Sequence, residues 1–202
     1  MEPKRIGVFA LQGDVSEHIS AMKNAVRSLG YEYEVITIRN KDELESVNAA
    51  ILPGGESTTI YRLLVNFGLY DLLKERCLDT KMPVFGTCAG MVLLAKEGDE
   101  QVRKTETRLI GLVDAKVRRN AFGRQKGSFE TAVEIKGLNE PFPAVFIRAP
   151  AYEKSWGRAE VLSTFRNNII MAKQRNVLVS AFHPELTNDI RVHELFLKMV
   201  EA

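Results

Sequence analysis

The chain has 202 residues, of which 45% are hydrophobic and 27% are charged, and its 28 basic and 26 acidic side chains leave a formal net charge of +2. This composition excludes a disordered chain, a collagen and a coiled coil, and near-neutrality argues against a nucleic-acid binder that relies on its overall field. With only two cysteines, Cys77 and Cys88, a secreted disulfide scaffold is excluded and a reducing environment is favoured.

Targeting and membrane segments are not predicted. The apolar run at 6–11 is too short for the core of a signal peptide, and no small-residue cleavage site follows it. The other apolar runs stop well short of the roughly 18 residues that cross a bilayer. We therefore expect a cytoplasmic protein without membrane association.

Strand-like and helix-like runs alternate through the first half of the chain. Short apolar or β-branched runs predict strands at 6–11, 33–38, 49–52 and 83–87. Apolar residues at helical spacing follow the first, third and fourth of these strands, and Gly68 interrupts the second of these helices. Strands that alternate with helices predict parallel β-α-β units.

The second half has a different pattern. Strand-like runs separated by turn-rich segments predict antiparallel or mixed strands at 109–117, 129–135, 145–148, 161–163, 169–173 and 177–182. A final helix is predicted at 187–200 with Thr187 or Asn188 as its N-cap, and the polar stretch 96–108 is predicted to be an exposed loop. The fold class is therefore α/β, with a doubly wound, mainly parallel central sheet, helices on both faces and additional antiparallel strands in the second half. We expect one domain, 1–202.

The strongest local motif is Gly86-Thr87-Cys88-Ala89-Gly90, which lies between an apolar strand and an apolar helix. This is the setting of a nucleophile elbow, here with cysteine in place of serine. The glycines relieve crowding in a strained turn, the helix N-terminus favours a thiolate, and the amide of Ala89 is placed to bind an oxyanion. The alternative is a buried structural cysteine, which is our interpretation of Cys77.

His183 is the candidate base for this thiol because it directly follows a predicted strand, at the sheet edge where α/β proteins bind ligands. Glu185 lies two residues further on and can reach back to the imidazole, fix its tautomer and stabilise its charged form. The other histidines, His18 and His193, occur among charged residues on amphipathic helices, and we expect their side chains to be solvated or half-buried.

The segment 53–59, Pro-Gly-Gly-Glu-Ser-Thr-Thr, follows the third strand. It lacks the Gly-Lys-Ser/Thr ending of a P-loop, and no dinucleotide motif occurs in the chain. Consecutive glycines allow backbone amides to approach a ligand closely, which suits the second half of an oxyanion hole. A plain turn with Ser57 or Thr58 as helix cap is the alternative, and both interpretations are compatible.

Three segments together, 53–58, 86–90 and 183–187 (His-Pro-Glu-Leu-Thr), resemble the motifs of class I, triad-type glutamine amidotransferases. The segments 11–13 (Leu-Gln-Gly), 119–125 (Arg-Asn-Ala-Phe-Gly-Arg-Gln) and 146–150 (Phe-Ile-Arg-Ala-Pro) are more narrowly similar to the glutaminase subunits of pyridoxal 5′-phosphate synthases. The resemblance covers the chain from Ile6 to the final helix.

The resemblance implies hydrolysis of L-glutamine to glutamate and ammonia, which passes to a barrel-type synthase subunit in a hetero-oligomeric complex. It implies Cys88 as the nucleophile that forms a γ-glutamyl thioester, His183 as general acid/base and Glu185 as its orienting partner. No metal or organic cofactor is implied, nor any nucleic acid. The remaining implied positions are an oxyanion hole at Gly55 and Ala89, substrate contacts at Gly54, Gly55, Glu56, Arg119, Ile147 and Arg148, and a rim position at Gln12.

Two other functions remain open at this point. The cysteine elbow and the distant histidine would also serve a γ-glutamyl hydrolase or a cysteine peptidase of similar fold, or the glutaminase of a different amidotransferase complex. A non-catalytic binding subunit is the second alternative, and the intact Cys-His-Glu set argues against it.

Overall fold

The computed structural model describes residues 4–123 and 127–202, so Arg124 and Gln125 of the segment 119–125 lie outside the described residues. The first half alternates strands and helices, as its pattern predicts. Its elements are β1 (Lys4–Phe9), α1 (Val15–Leu29), β2 (Tyr33–Ile38), α2 (Lys41–Ser46), β3 (Ala49–Leu52), α3 (Ser57–Asn66), α4 (Leu69–Asp79), β4 (Val84–Thr87) and α5 (Ala89–Leu94).

The second half is mostly strand. Its elements are β5 (Ala95–Gly98), α6 (Glu100–Lys104), β6 (Val113–Arg118), β7 (Ser128–Val133), β8 (Phe142–Ile147), β9 (Ala151–Ser155), β10 (Glu160–Phe165), β11 (Asn168–Gln174), β12 (Val177–Ser180), a short 3₁₀ helix (Pro184–Leu186) and α7 (Arg191–Glu201).

A ten-stranded sheet organises the molecule, with the order β2-β1-β3-β4-β12-β11-β9-β6-β5 and with β10 paired to β11. The half from β2 to β12 is parallel, whereas β9, β10 and β12 run antiparallel to β11. A separate antiparallel pair joins β7 to β8. The predicted α/β fold class, with a mainly parallel central sheet and added antiparallel strands, is confirmed.

Helices cover both faces of the parallel half, and the alternation of side chains along β4 shows how. Phe85 packs edge-on against the rings of His18 and His193, which belong to α1 and α7. Gly86 faces the opposite way, where an added Cβ would lie 2.5 Å from Cδ1 of Leu94 in α5. One strand thus contacts helices on both faces of the sheet, and its carboxyl end leads directly into the Cys88 turn.

The prediction of an exposed loop at 96–108 is wrong. This segment contains β5, which pairs with β6, and the one-turn helix α6, whose Val102 is 3% exposed. Asp99 caps α6 by accepting a hydrogen bond from the backbone N–H of Val102 at 3.0 Å. The segment has many charged residues because only a few of its side chains reach the core, so composition alone did not reveal it.

The predicted helix caps also need correction. The carboxylate of Glu56, rather than Ser57 or Thr58, caps α3 by accepting from the backbone N–H groups at its first turn. The last helix begins at Arg191, with Ile190 as its N-cap, rather than at Thr187. The predicted irregularity at Gly68 is confirmed, since this residue has a φ of 67° and separates α3 from α4. Only a residue that tolerates a left-handed conformation can make this break cheaply.

Candidate active site

Cys88 occupies the sharp turn between β4 and α5. Its φ of 49° and ψ of −102° lie in a region that non-glycine residues rarely adopt, and its side chain is almost buried at 8% exposure. Gly90 lets the turn close, because a Cβ at this position would lie 2.3 Å from the carbonyl oxygen of Leu52 in β3. The strained strand-turn-helix geometry expected of a nucleophile elbow is therefore present.

The loop at 53–56 lies directly against this turn. A Cβ on Gly54 would fall 2.5 Å from Cε1 of His183 and 3.3 Å from Cβ of Cys88. The Gly54 carbonyl oxygen in turn lies so close to Gly13 that a Cβ there would meet it at 1.8 Å. Gly55 has a φ of 138°, which also favours glycine. Glycine is needed at these positions because three chain segments converge on the thiol.

His183 reaches the same point from the far side of β4. Strand β12 is parallel to β4 and ends at Ser180, and the backbone N–H of His183 donates to the carbonyl of Val145 at 2.8 Å. The ring is 3% exposed, and Nδ1 lies 2.7 Å from Oε1 of Glu185. Within the described residues, Nε2 has no hydrogen-bond partner. The expected Glu185-to-imidazole contact is present.

The ionisation of this pair follows from its surroundings. Burial lowers the pKa of His183, but its contacts with Cys88 and Glu185 outweigh burial and raise that pKa to about 10. Burial likewise raises the pKa of the Glu185 carboxyl, but the contacts with His18 and His183 outweigh it and hold this pKa far below its usual range. The contacts of His183 with Cys88 and Glu185 therefore favour its charged form, and the contacts of Glu185 with the two histidines favour the ionised carboxylate.

Asp14 is a site residue that the sequence analysis did not identify. Its Oδ2 lies 3.3 Å from Nδ1 of His183, and its side chain is 38% exposed at the mouth of the site. The available signal was its position just after β1, at the same sheet edge as the other site residues. Asp14, His183 and Glu185 offer three potential metal-ligand atoms within 4.8 Å of one another, but two of them already bond to each other.

A cavity of about 370 Å³ opens beside Cys88. The thiol and the imidazole line it together with Ala89, expected in the oxyanion hole, and five of the six expected substrate residues: Gly55, Glu56, Arg119, Ile147 and Arg148. The sixth, Gly54, is not in the lining and instead packs against His183 and Cys88. Asp14, Ser57, Val92, Asn120 and Pro150 complete the lining. Gln12, expected at the rim, is not among these residues. Its Oε1 instead accepts a hydrogen bond from the backbone N–H of Glu56 at 3.0 Å, so Gln12 supports the glycine loop.

Charges of both signs face the cavity. Glu56 bonds through Oε1 to Nη2 of Arg119 at 3.0 Å while also capping α3 through Thr58 and Thr59. Partial burial raises the pKa of Glu56, but these backbone hydrogen bonds outweigh it and lower the pKa. With Asp14 and Arg148 also in the lining, two acidic and two basic residues border the cavity. This arrangement suits a small zwitterionic substrate with an α-ammonium and an α-carboxylate.

The prediction that His18 and His193 are solvated or half-buried is wrong. Both side chains are fully buried, with Nδ1 of His18 3.2 Å from Nε2 of His193. The signal was in the helical spacing, because His18 is three residues after Val15 and four before Met22, and His193 is three before Phe196. Both histidines therefore lie on the apolar stripe of their helix, despite the charged residues beside them in sequence.

No helix within residues 4–123 and 127–202 is long and apolar enough to span a membrane.

Cys77, interpreted as a core residue, is 2% exposed, and burial raises the pKa of its thiol to about 11 although Asn176 donates to it. That interpretation is confirmed.

The chain is similar to known glutamine amidotransferases over nearly its whole length. The model of the SNO glutamine amidotransferase family matches residues 8–202. The chain is 51% identical over 198 residues to the pyridoxal 5′-phosphate synthase subunit PdxT of Archaeoglobus fulgidus. The aligned residues make up 98% of this chain and 99% of that relative. It is 50% identical over 197 residues to the protein of the same name from Fervidobacterium nodosum, with 97% of each chain covered.

Solved structures show the same relationship. A crystal structure of a glutamine amidotransferase superposes with a TM-score of 0.85 at 43% identity, and it covers 98% of this chain and 99% of that one. A glutamine amidotransferase from Thermotoga maritima shares the fold, with a TM-score of 0.63 at 15% identity over the whole of both chains. Because the family model and these relatives span nearly the whole sequence, the chain belongs to the SNO glutamine amidotransferase family.

Proposed function

We propose that Cys88, His183 and Glu185 carry out the glutaminase reaction of this chain. Family membership and the names of its relatives give the overall reaction, hydrolysis of L-glutamine in the service of pyridoxal 5′-phosphate synthesis. The observation that supports the residue assignment is the convergence of the strained Cys88 turn, the His183–Glu185 pair and the glycine loop at one cavity. Relatives at about half identity over the full chain favour glutamine over the peptides or γ-glutamyl chains left open by the motifs.

In the first half-reaction the Cys88 thiolate attacks the side-chain carbonyl carbon of glutamine. The amides of Gly55 and Ala89 bind the oxyanion of the tetrahedral intermediate. The His183 imidazolium gives its proton to the amide nitrogen as the carbon–nitrogen bond breaks, so ammonia leaves and a γ-glutamyl thioester remains on Cys88. Glu185 stabilises the charged imidazole before this transfer and fixes the tautomer after it.

In the second half-reaction the now neutral His183 takes a proton from water as the water oxygen attacks the thioester carbonyl. Collapse of this intermediate breaks the carbon–sulfur bond, releases glutamate and restores the thiolate–imidazolium pair. The substrate's charged ends are held by the cavity lining, with Arg119 and Arg148 available to the α-carboxylate and Glu56 and Asp14 to the α-ammonium. No step in this scheme requires a metal or an organic cofactor.

The ammonia goes to a synthase subunit of barrel type in a hetero-oligomeric complex, and the chain acts as one cytoplasmic domain, 1–202, that contacts neither nucleic acid nor membrane. Docking of the synthase also activates the glutaminase. A glycine pair can rotate a peptide plane at little steric cost, so the amide of Gly55 adopts its oxyanion-binding direction only in the complex.

Ammonia release from L-glutamine tests both parts of the proposal. We expect a low rate from the isolated chain and a strong increase when the purified barrel-type synthase subunit is added, with co-elution of the two proteins on size exclusion. Full activity of the chain alone would contradict the activation step. Activation only by a different biosynthetic enzyme would contradict the assigned partner, and an active Cys88→Ala variant would contradict the assigned nucleophile.

A further inference from the structure

A buried pair of histidines lies behind the carboxylate of the proposed triad. His18 of α1 and His193 of α7 are both fully buried, and their rings are joined by the 3.2 Å contact between Nδ1 of His18 and Nε2 of His193. Nε2 of His18 lies 3.0 Å from Oγ1 of Thr87 and 3.3 Å from Oε2 of Glu185. Buried imidazoles are costly unless their polar atoms are paired, so the arrangement calls for an explanation beyond filling space.

The two oxygens of Glu185 differ in what supports them. Oε1 accepts from Nδ1 of His183, whereas Oε2 has no hydrogen bond of good geometry within the described residues and has His18 at 3.3 Å as its salt-bridge partner. The Glu185 side chain is fully buried, and the 3₁₀ helix that carries it has only three residues. The contact with His18 is therefore the side-chain interaction that restrains the second oxygen.

The direction of the hydrogen atoms follows from the partners. An ionised carboxylate can only accept, so a bare Nε2 on His18 would face Oε2 with two lone pairs opposed. Burial, with the nearby His18, lowers the pKa of His193 to about 3, so His193 is neutral. If Nε2 of His193 donates to Nδ1 of His18, the one hydrogen of a neutral His18 ring lies on Nε2 and points towards Thr87 and Glu185. His193 from α7, Thr87 from β4 and Glu185 from the 3₁₀ helix are the polar groups that face this ring.

We propose that His18 is a positioning residue for the glutaminase reaction, in which its Nε2–H holds Oε2 of Glu185 so that Oε1 faces Nδ1 of His183. Thr87 and His193 in turn fix the plane and tautomer of His18. The role resembles that of the partners that orient metal-bound histidines, whose loss typically reduces activity or affinity about 10–100-fold. The inference rests on the proposed function, because it assigns a support to the proposed triad.

The test compares variants at position 18 with a matched core variant, using the complex with the synthase subunit. His18→Leu removes the donor, His18→Gln places an amide N–H near the position of Nε2, and His18→Asn is too short to do so. Met22→Ala removes a buried apolar side chain from the same face of α1, one turn away from His18. We expect His18→Leu and His18→Asn to lower kcat about 10–100-fold with little change in KM, since His18 does not line the cavity, and His18→Gln to retain most of the rate.

The pH profile separates positioning from loss of packing. Glu185 helps to raise the pKa of His183, so a displaced carboxylate lowers that pKa and moves the basic limb of the kcat/KM profile to lower pH. We expect this shift in His18→Leu and His18→Asn but not in Met22→Ala, even where all three lower the melting temperature. His18→Asn and His18→Gln are both polar, so their comparison decides the matter if His18→Leu does not fold.

Two results would overturn the inference alone. In the first, the wild-type complex is active and every position-18 variant has a kcat within twofold of it. In the second, His18→Asn and His18→Gln lose equal amounts of kcat and the basic limb of the kcat/KM profile does not move. A wild-type complex that releases no ammonia from glutamine would overturn the proposed function, and this inference with it.

Discussion

The two cysteines lie at opposite ends of the strand pair β4 and β12, and their surroundings differ. Cys77 packs near the amino ends of β4 and β12, where Asn176 donates to its carbonyl oxygen at 2.9 Å and to its sulfur at 3.2 Å. Cys88 lies at the carboxyl ends of the same strands, beside His183 and an open cavity. Both side chains are nearly buried, at 2% and 8% exposure, so exposure does not distinguish them.

The two cysteines differ in the charged and hydrogen-bonding groups around each sulfur. At the amino end Asn176 also donates to the carbonyl of Met82, Cys77 lines a smaller cavity of about 230 Å³, and burial favours its neutral thiol. At the carboxyl end His183 lies next to the sulfur, and its contacts with Cys88 and Glu185 raise its pKa to about 10 despite its burial. We therefore expect the adjacent histidine, rather than solvent access, to make Cys88 the more reactive thiol.

Substitution of each cysteine in turn tests most directly whether only Cys88 is needed for activity. Cys88→Ala should reduce glutamine hydrolysis on the order of 10⁵-fold or more, because the nucleophile is lost. Cys77→Ala is the matched control and should keep near wild-type kcat with a lower melting temperature, because it leaves a small cavity in the core. Ammonia release by the complex measures both effects. Equal losses in the two variants would show that the two ends are not functionally different.

Glu185→Gln tests whether activity at the carboxyl ends of β4 and β12 depends on the charge of Glu185 as well as on its shape. We expect kcat to fall roughly 10³–10⁴-fold, because a neutral amide neither stabilises the imidazolium nor enforces its tautomer. Glu160→Gln, which alters a surface carboxylate paired with two lysines, is the control and should be neutral. Steady-state kinetics of the complex provide the measurement, and an active Glu185→Gln variant would contradict the triad.

Thiol labelling compares the two cysteines in one experiment. With a pKa of about 11, Cys77 is thiolate to roughly one part in 10⁴ at pH 7, and this fraction rises as the pH approaches 11. Iodoacetamide should therefore modify Cys88 about 10³-fold faster than Cys77 in the native chain at pH 7, as followed by mass spectrometry. Denaturation should remove the difference, and comparable native rates would refute it.

Gly90→Ala should destabilise the carboxyl end by about 2–3 kcal/mol, because its Cβ would overlap the carbonyl oxygen of Leu52 and force β3 and α5 apart. Gly30→Ala is a matched control with a φ of 68° and no atom within 4 Å of an added Cβ, so backbone strain alone should cost about 1 kcal/mol. Urea unfolding measures both variants. If both lose the same stability, close packing at Gly90 is not important.

Asn176→Ala has the smallest expected effect and concerns the amino end. Two carbonyl groups would lose their donor, which should reduce the free energy of unfolding by about 1–2 kcal/mol while kcat remains unchanged. Substitution of the exposed Asn66 by Ala should change neither quantity. A fall in kcat in Asn176→Ala would indicate that the two ends are coupled.

Much of the fold could be predicted, because hydrophobic periodicity reflects burial directly. The limits of β2 and β3 match the structure residue for residue, and the mixed character of the second half is confirmed. The segment 96–108 was mispredicted, because an edge strand and a one-turn helix bury few side chains and leave a polar sequence. The histidines of α1 and α7 were mispredicted because their sequence neighbours are charged, although their helical spacing is that of core residues.

The candidate site also contains residues that the sequence could predict and residues that it could not. The motifs around Cys88 and His183 encode their own local geometry, since each glycine or proline constrains the backbone next to the functional side chain. Asp14 and His18 carry no such local signal. They join the site only because β1 and α1 bring them to the carboxyl edge of the sheet, next to residues 167 and 169 positions away in sequence.

The sequence by itself determined the alternation of strands and helices in the first half, the strained cysteine turn and the local motifs of the triad candidates, because these depend on residues close in the chain. Only the tertiary structure decided which cysteine lies beside His183, which acidic residues line the cavity and which side chains contact Glu185. These properties depend on distances between strands and helices far apart in sequence, and the sums of burial and charge that fix them exist only once the sheet has formed.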